Sequence, residues 1–183
     1  MRNRYELRLS GSGGQGLILA GLILAEAAGI YDNRNVTQTQ SYGPEARGGA
    51  SKSEVVISES EIDYPKVTRP DLLLALTQEA CDEYHRDLRE DGILIVDSFR
   101  VKRVPSRGAF SIPISQIARK EVGKELVTNI VALGIITELT GVVSREAVKR
   151  AVLDRVPGGT EKLNIKALEV GFRIGKEKKE AYA

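Results

Sequence analysis

The 183-residue sequence has no tryptophan, one histidine, one methionine and a single cysteine, Cys81. A lone cysteine rules out a disulfide within the chain. Without a C-x-x-C there is also no ligand set for a structural zinc or an iron–sulfur cluster. Electrons handled near this chain need a carrier held elsewhere, and the sparse thiol usage fits a reducing compartment. Charge has no bias either: 27 Lys and Arg against 25 Asp and Glu give a formal net charge of +2. That is too little to argue for nucleic acid. The most apolar run, Leu17 to Ala25, falls far short of the ~20 residues that span a bilayer. The N-terminus enters a strand-like segment directly, without a signal-peptide pattern. The expectation is a cytoplasmic protein with no membrane and no nucleic acid among its partners.

What is present reads as one α/β domain. Hydrophobic residues make up 42% and charged residues 28% of the chain, ordinary values for a globular protein with one core. Tyr5 to Ser10 alternates as a strand does, and after a glycine loop Gln15 to Ala28 is apolar nearly all round, as a packed-in helix is. Gly29 is placed to stop it. Further strands are predicted at Asn35–Gln40, Lys52–Ser58, Asp71–Thr77, Gly92–Ser98 and Ala109–Pro113. The continuous apolar runs "DLLLALT" and "GILIVDS" suit parallel strands covered on both faces. Helices are predicted over Gln78–Arg89, Ser115–Lys124, Asn129–Leu139 and Ser144–Asp154, with Gly141 a stop and Ser144 an N-cap. A last amphipathic helix follows Pro157-Gly158-Gly159, and 176–183 is expected to be a frayed tail. The alternation predicts a single three-layer domain over 1–183 with a mostly parallel sheet and a Rossmann-like start of strand, glycine loop and helix.

Two segments carry candidate chemistry. Gly11-Ser12-Gly13-Gly14-Gln15-Gly16 satisfies G-x-G-x-x-G, and backbone N–H groups at a helix start favour an anion. A dinucleotide site also asks for an acid at the end of the second strand. That strand runs into Gln38, Thr39 and Gln40, while Asp32 precedes it. No Tyr-x-x-x-Lys, P-loop or convincing general base follows, and His85 lies among charged residues of a predicted crossover helix. The loop is therefore read as serving another anion or a subunit interface ahead of NAD(P), with a structural turn as the bland alternative. The second segment, "YGPEARGGAS" (Tyr42 to Ser51), frames Arg47 with Gly43, Gly48 and Gly49. A guanidinium so unobstructed can meet a carboxylate or phosphate side-on through two charge-assisted bonds. Pairing with its own neighbour Glu45 is the alternative. In a parallel sheet both segments would share the carboxyl edge, where α/β proteins bind ligands.

With these residues in view, "RLSGSGGQG", "SYGPEARGGASKSEVVIS", "DLLLALTQEA", "GILIVDS" and "NIVALG" together resemble the gamma subunit of 2-oxoacid:ferredoxin oxidoreductases, above all the 2-oxoglutarate type. The similarity is colinear over roughly residues 4–175. It implies a non-redox subunit of an assembly that converts a 2-oxoacid, coenzyme A and oxidised ferredoxin to an acyl-CoA, CO2 and reduced ferredoxin. In such assemblies alpha and beta subunits bind thiamine pyrophosphate with Mg2+, and a ferredoxin-like delta subunit carries [4Fe–4S] clusters. No cofactor is expected on this chain alone. Gly11, Gly13, Gly14, Gln15, Gly16, Tyr42, Glu45, Arg47, Gly48, Gly49 and Ser51 are then expected to face coenzyme A or partner subunits. No catalytic or metal-binding residue is expected, and an isolated chain is expected to self-associate. A stand-alone Rossmann-like nucleotide-binding protein is the competing reading.

Overall fold

In a strand successive side chains point to opposite faces, and β1 (Arg4–Gly11) uses both. Leu7 and Leu9 enter one core while Glu6, Arg8 and Ser10 face the other layer, all buried. The computed structural model describes residues 3–41, 50–105 and 108–182. β4 (Leu72–Ala75) and β5 (Ile93–Asp97) are apolar on both sides, with Leu72 and Leu74 in one cluster and Leu73 and Ala75 in the other. β2 (Asn35–Ser41), β3 (Ser51–Ser58) and β6 (Phe110–Ile112) complete the order β2-β3-β1-β4-β5-β6. β1, β4, β5 and β6 are joined by parallel pairings, whereas β3 is antiparallel to both β1 and β2. All six predicted strand segments form, and β3 alone runs against the rest.

Helices cover both faces. α1 (Leu17–Glu26), α4 (Thr128–Thr140), α5 (Arg145–Arg155) and α6 (Glu161–Tyr182) build the larger core over Leu7, Leu9, Val55 and Ile57. α2 (Gln78–Tyr84) closes the smaller core with Ala80, Cys81 and Tyr84 against Leu73, Leu94 and Val96. α3 (Ile114–Ile117) is a single turn that runs on into π-helical backbone over Ala118–Val122. α4 and α6 approach backbone to backbone. A Cβ on Gly134 would lie 2.5 Å from the Leu168 carbonyl oxygen, and one on Gly171 would lie 2.9 Å from the Gly134 Cα.

Helix ends depart from the sequence reading for physical reasons. α1 does not stop at Gly29 but widens into a π-helical turn over Ala27–Tyr31. Gly29 is there for room: a Cβ would sit 2.7 Å from Val36 Cγ1. The left-handed residue at this turn is Asn33, with φ 51°. The crossover helix ends at Tyr84 and tightens into a 3-10 turn over His85–Asp87. Gly141 does terminate α4 with φ 62°, and the Ser144 side chain accepts the Ala147 N–H as an N-cap should. The expected frayed tail is helical through Tyr182, and Lys179 Nζ donates to the Glu138 carbonyl.

Candidate functional site

Register brings the ends of β1 and β2 and the start of β3 to one edge of the sheet. Gly11, the last residue of β1, pairs with Ser51, the first of β3, and Ser41 at the end of β2 pairs with Lys52. Ser41 and Ser51, the described residues at the end of β2 and the start of β3, therefore lie on the edge where β1, β4 and β5 also end. Tyr42, Glu45, Arg47, Gly48 and Gly49 lie outside the described residues. Ser51 is buried at the sheet edge opposite Gly11. Because β3 separates β2 from β1, the end of β2 stands two strand spacings, about 10 Å, from β1. In a dinucleotide fold those two strands are neighbours. Asp32 is engaged elsewhere, accepting both the N–H and the hydroxyl of Ser144 at 2.7 Å.

Within the loop the glycines do different work. A Cβ on Gly11 would lie 2.2 Å from Gln15 Oε1 and 3.2 Å from both Leu76 Cβ and Leu17 Cδ1, so a side chain there would push Gln15 away from the Ser12 N–H it accepts. Gly14 and Gly16 have φ of 82° and 70°, a left-handed backbone that favours glycine. Gly16 is also pressed against α4: Asn129 Nδ2 donates to its carbonyl at 3.0 Å and would lie 2.5 Å from a Cβ there. Gln15 turns inward, its Oε1 accepting the Ser12 N–H at 2.8 Å, so it braces the loop. Gly13 has an ordinary φ, is exposed, and has nothing within 4 Å of where a Cβ would stand. Neither a left-handed φ nor packing within the described residues calls for glycine at 13.

A cavity of ≈ 300 Å³ opens against this loop, lined by Gly13, Gly14, Gln15, Arg100, Ser115, Glu125, Leu126 and Thr128. Its far wall is organised by Asp97 at the end of β5. That fully buried carboxylate accepts the Phe99 N–H at 3.2 Å and the Ser115 N–H at 3.4 Å. Arg100 is ion-paired with Glu125, and its Nε lies 4.0 Å from Asp97. Sequence reasoning missed Arg100, Ser115, Glu125 and Asn129. Only the motif "NIVALG", which begins at Asn129, carried any signal for them. The roomier cavity, ≈ 390 Å³, lies at the opposite end of β1. There Glu6 is already bound by Arg4 and by the N–H groups of Thr68 and Arg69.

The second face carries a buried charge cluster that ends at this edge. Arg8, 4% exposed, donates to Glu54 at 2.7 Å, is ion-paired with Asp87, and lies 5.1 Å from the Tyr84 ring centre. Lys52 lies 5.2 Å from the same ring, and the Tyr84 hydroxyl donates to the Ala50 carbonyl at 3.1 Å. Burial, helped by the neighbouring Glu83 carboxylate, pushes the Tyr84 phenol far above its ordinary value. Burial first, then Asp82, raises the Cys81 thiol, so this cysteine is a poor nucleophile. His85 Nδ1 is 2.8 Å from the Cys81 carbonyl, a donor position that ties the only histidine to its own helix.

Comparison with known proteins places this arrangement among relatives of one kind. The sequence profile described as "Pyruvate ferredoxin/flavodoxin oxidoreductase" matches residues 6–174. The chain is 51% identical to the 2-oxoglutarate synthase subunit KorC of Methanocaldococcus jannaschii over 181 residues, covering 97% of each protein. It is 48% identical to the subunit of the same name from Methanothermobacter thermautotrophicus, covering 93% of this chain and 95% of that one. Its fold matches a keto/oxoacid ferredoxin oxidoreductase gamma subunit from Geobacter sulfurreducens with a TM-score of 0.87 and 55% identity. That match covers 95% of this chain and 97% of the other.

Proposed function

The chain belongs to the pyruvate ferredoxin/flavodoxin oxidoreductase family, and from that premise we propose that it is the non-redox gamma subunit of a cytoplasmic 2-oxoglutarate:ferredoxin oxidoreductase. The assembly converts 2-oxoglutarate, coenzyme A and oxidised ferredoxin to succinyl-CoA, CO2 and reduced ferredoxin. The single observation that carries this is the near-full-length identity of 51% and 48% to two 2-oxoglutarate synthase subunits. In this reading alpha and beta subunits supply thiamine pyrophosphate and Mg2+, and a ferredoxin-like delta subunit supplies [4Fe–4S] clusters. One buried cysteine cannot provide the four thiolates such a cluster takes. This chain's own contribution in this proposal is to complete the assembly with the sheet edge that carries the glycine loop. In this proposal Gly13, Gly14 and Gln15 of the exposed loop, together with Arg47 from the segment that follows β2 in the sequence, face coenzyme A phosphates or the thiamine-binding subunits.

Two measurements test it. Expressed with its neighbouring genes, the chain is expected to co-purify with larger subunits. The complex should reduce ferredoxin only when 2-oxoglutarate and coenzyme A are both present. Saturable NAD(P)H binding and turnover by the chain alone would favour the stand-alone nucleotide-binding reading instead. Within the complex, Arg47→Ala is expected to raise the KM for coenzyme A or to loosen subunit retention by about tenfold, the scale of one lost charge-assisted contact. If neither quantity moves, the assignment of that edge fails while the subunit assignment stands.

A further inference from the structure

β2 is an outer strand of the sheet, and the alternation of hydrogen bonds shows which of its groups lack a strand partner. The Glu59 N–H donates to the Asn3 carbonyl at 3.0 Å, one step beyond the β1–β3 register. Opposed residues of an antiparallel pair are bonded alternately, so odd-numbered residues of β3 bond β1 and even-numbered ones bond β2. Val36 is opposite Ile57 and Gln38 is opposite Val55, so the backbone groups of Val36 and Gln38 point away from β3. Among the described residues nothing bonds them from the far side. Natural edge strands are blunted by shortness, charge, proline or a bulge. β6, the other outer strand, has only three residues. β2 has seven, "NVTQTQS", with no charge and no proline, in unbroken register with β3.

Exposed apolar side chains mark the same flank. Five large ones are exposed among the described residues. Leu126 lines the cavity beside the glycine loop, and the Phe99 N–H is bonded to Asp97 at its wall. The other three stand by β2. Ile30, 71% exposed, follows Gly29, which lies against Val36. Leu153 precedes Asp154, the partner of the Tyr31 hydroxyl. Tyr64 precedes Pro65, whose carbonyl accepts the Thr37 hydroxyl at 3.0 Å. We infer that β2 docks against β2 of a second copy of this chain, antiparallel about a twofold axis at Thr37, so that one sheet runs through both. Val36 then faces Gln38 of the second copy and Gln38 faces its Val36, and each of these pairs exchanges two N–H···O bonds. The strand is its own complement: it carries no charge to repel its mate, and a net charge of +2 opposes association little. A strand edge alone falls short of the about 800 Å² that each partner of a stable dimer buries. Ile30, Leu153 and Tyr64 supply apolar surface on either side of it. This pairing is independent of the coenzyme A reading, which concerns the strand ends and not this flank.

Sedimentation of the full chain from micromolar to submillimolar concentration should show a monomer–dimer equilibrium. Amide exchange read residue by residue should keep Thr37 and Thr39 protected at every concentration, because β3 holds them. Val36 and Gln38 should be protected only where the dimer dominates. Thr37→Lys sets two ammonium groups opposite each other at the axis and should weaken dimerisation at least about tenfold. Ile30→Asp, at a side chain that is mostly exposed, should weaken it about fivefold. Leu126→Asp, the matching change beside the cavity, should leave it unmoved. Thermal melts report whether each variant is folded, and if Thr37→Lys is not, Ile30→Asp decides alone. A chain that stays monomeric overturns the inference, as does a dimer that both β2-flank variants leave intact or that Leu126→Asp dissolves. A folded Thr37→Lys chain that still dimerises but no longer co-purifies with partner subunits also overturns it, since a strand of another subunit then occupies β2. Loss of the dimer with co-purification retained supports the pairing and leaves the subunit assignment standing.

Discussion

At the scale of single residues, the four glycines of the loop separate internal from external causes. Gly16 is held by its left-handed φ of 70° and by Asn129 packed against it. Gly16→Ala should therefore destabilise the isolated chain by about 1–3 kcal/mol, from backbone strain plus displacement of Asn129. Gly13 has neither constraint, so Gly13→Ala should lie within about 0.5 kcal/mol of wild type in the same urea titration. If the edge reading is right, Gly13→Ala should nonetheless impair assembly or coenzyme A use in the complex. Equal destabilisation by both substitutions would refute this division. The glycine spacing was legible in the sequence because such loops are local. The wall opposite was not, since Asn129 lies 113 positions from the carbonyl it binds. Arg100 and Ser115 likewise join the loop only through the fold.

Elements show the same contrast between local and distant causes. The six strands were readable because period-two alternation and continuous apolar runs are written within a few residues. The direction of β3 was not. "KSEVVIS" patterns identically whether the strand runs with β1 or against it, and only the hairpin pairing of Lys52 with Ser41 fixes it. The ends of α1 escaped for a related reason: Gly29 resembles a stop signal, yet its lack of a side chain serves the close passage of Val36. In the packing of α4 on α6, Gly134 and Gly171 meet, while Gly175 lies against Ile135 and Glu138; the Gly171-x-x-x-Gly175 spacing puts two small residues on one helix face, but nothing local says which helix they approach. Gly171→Ala would drive a methyl into the backbone of α4 near Val131 and Gly134. Both backbones belong to rigid helices, so the cost should reach about 3 kcal/mol, the upper end for overpacking. A shift in the urea midpoint at unchanged m-value would report it. A neutral result would mean that the two helices can separate without loss, contrary to their close backbone approach.

For the whole molecule, two buried acids couple stability to alkaline pH. The Tyr84 phenol is raised by burial and by Glu83, and the Cys81 thiol by burial and then Asp82, from ordinary values of 10.0 and 9.0. Between its unfolded and folded values each group holds its proton in the folded chain but loses it in the unfolded one. The folded state then carries the extra proton, so stability falls as pH rises. These groups contribute no slope through neutral pH. The decline starts near pH 9 with Cys81 and steepens above pH 10 with Tyr84. Tyr84→Phe sacrifices the hydrogen bond to the Ala50 carbonyl, about 1 kcal/mol at neutral pH. It also abolishes the phenol's share of the alkaline loss. Urea unfolding at about pH 8 and about pH 11 should therefore find the variant less stable at the lower pH, with the gap narrowed at the higher one. Curves that fall in parallel would mean that the phenol ionises as readily in the folded chain as in the unfolded, and the buried anchor between α2 and the start of β3 would lose its electrostatic basis.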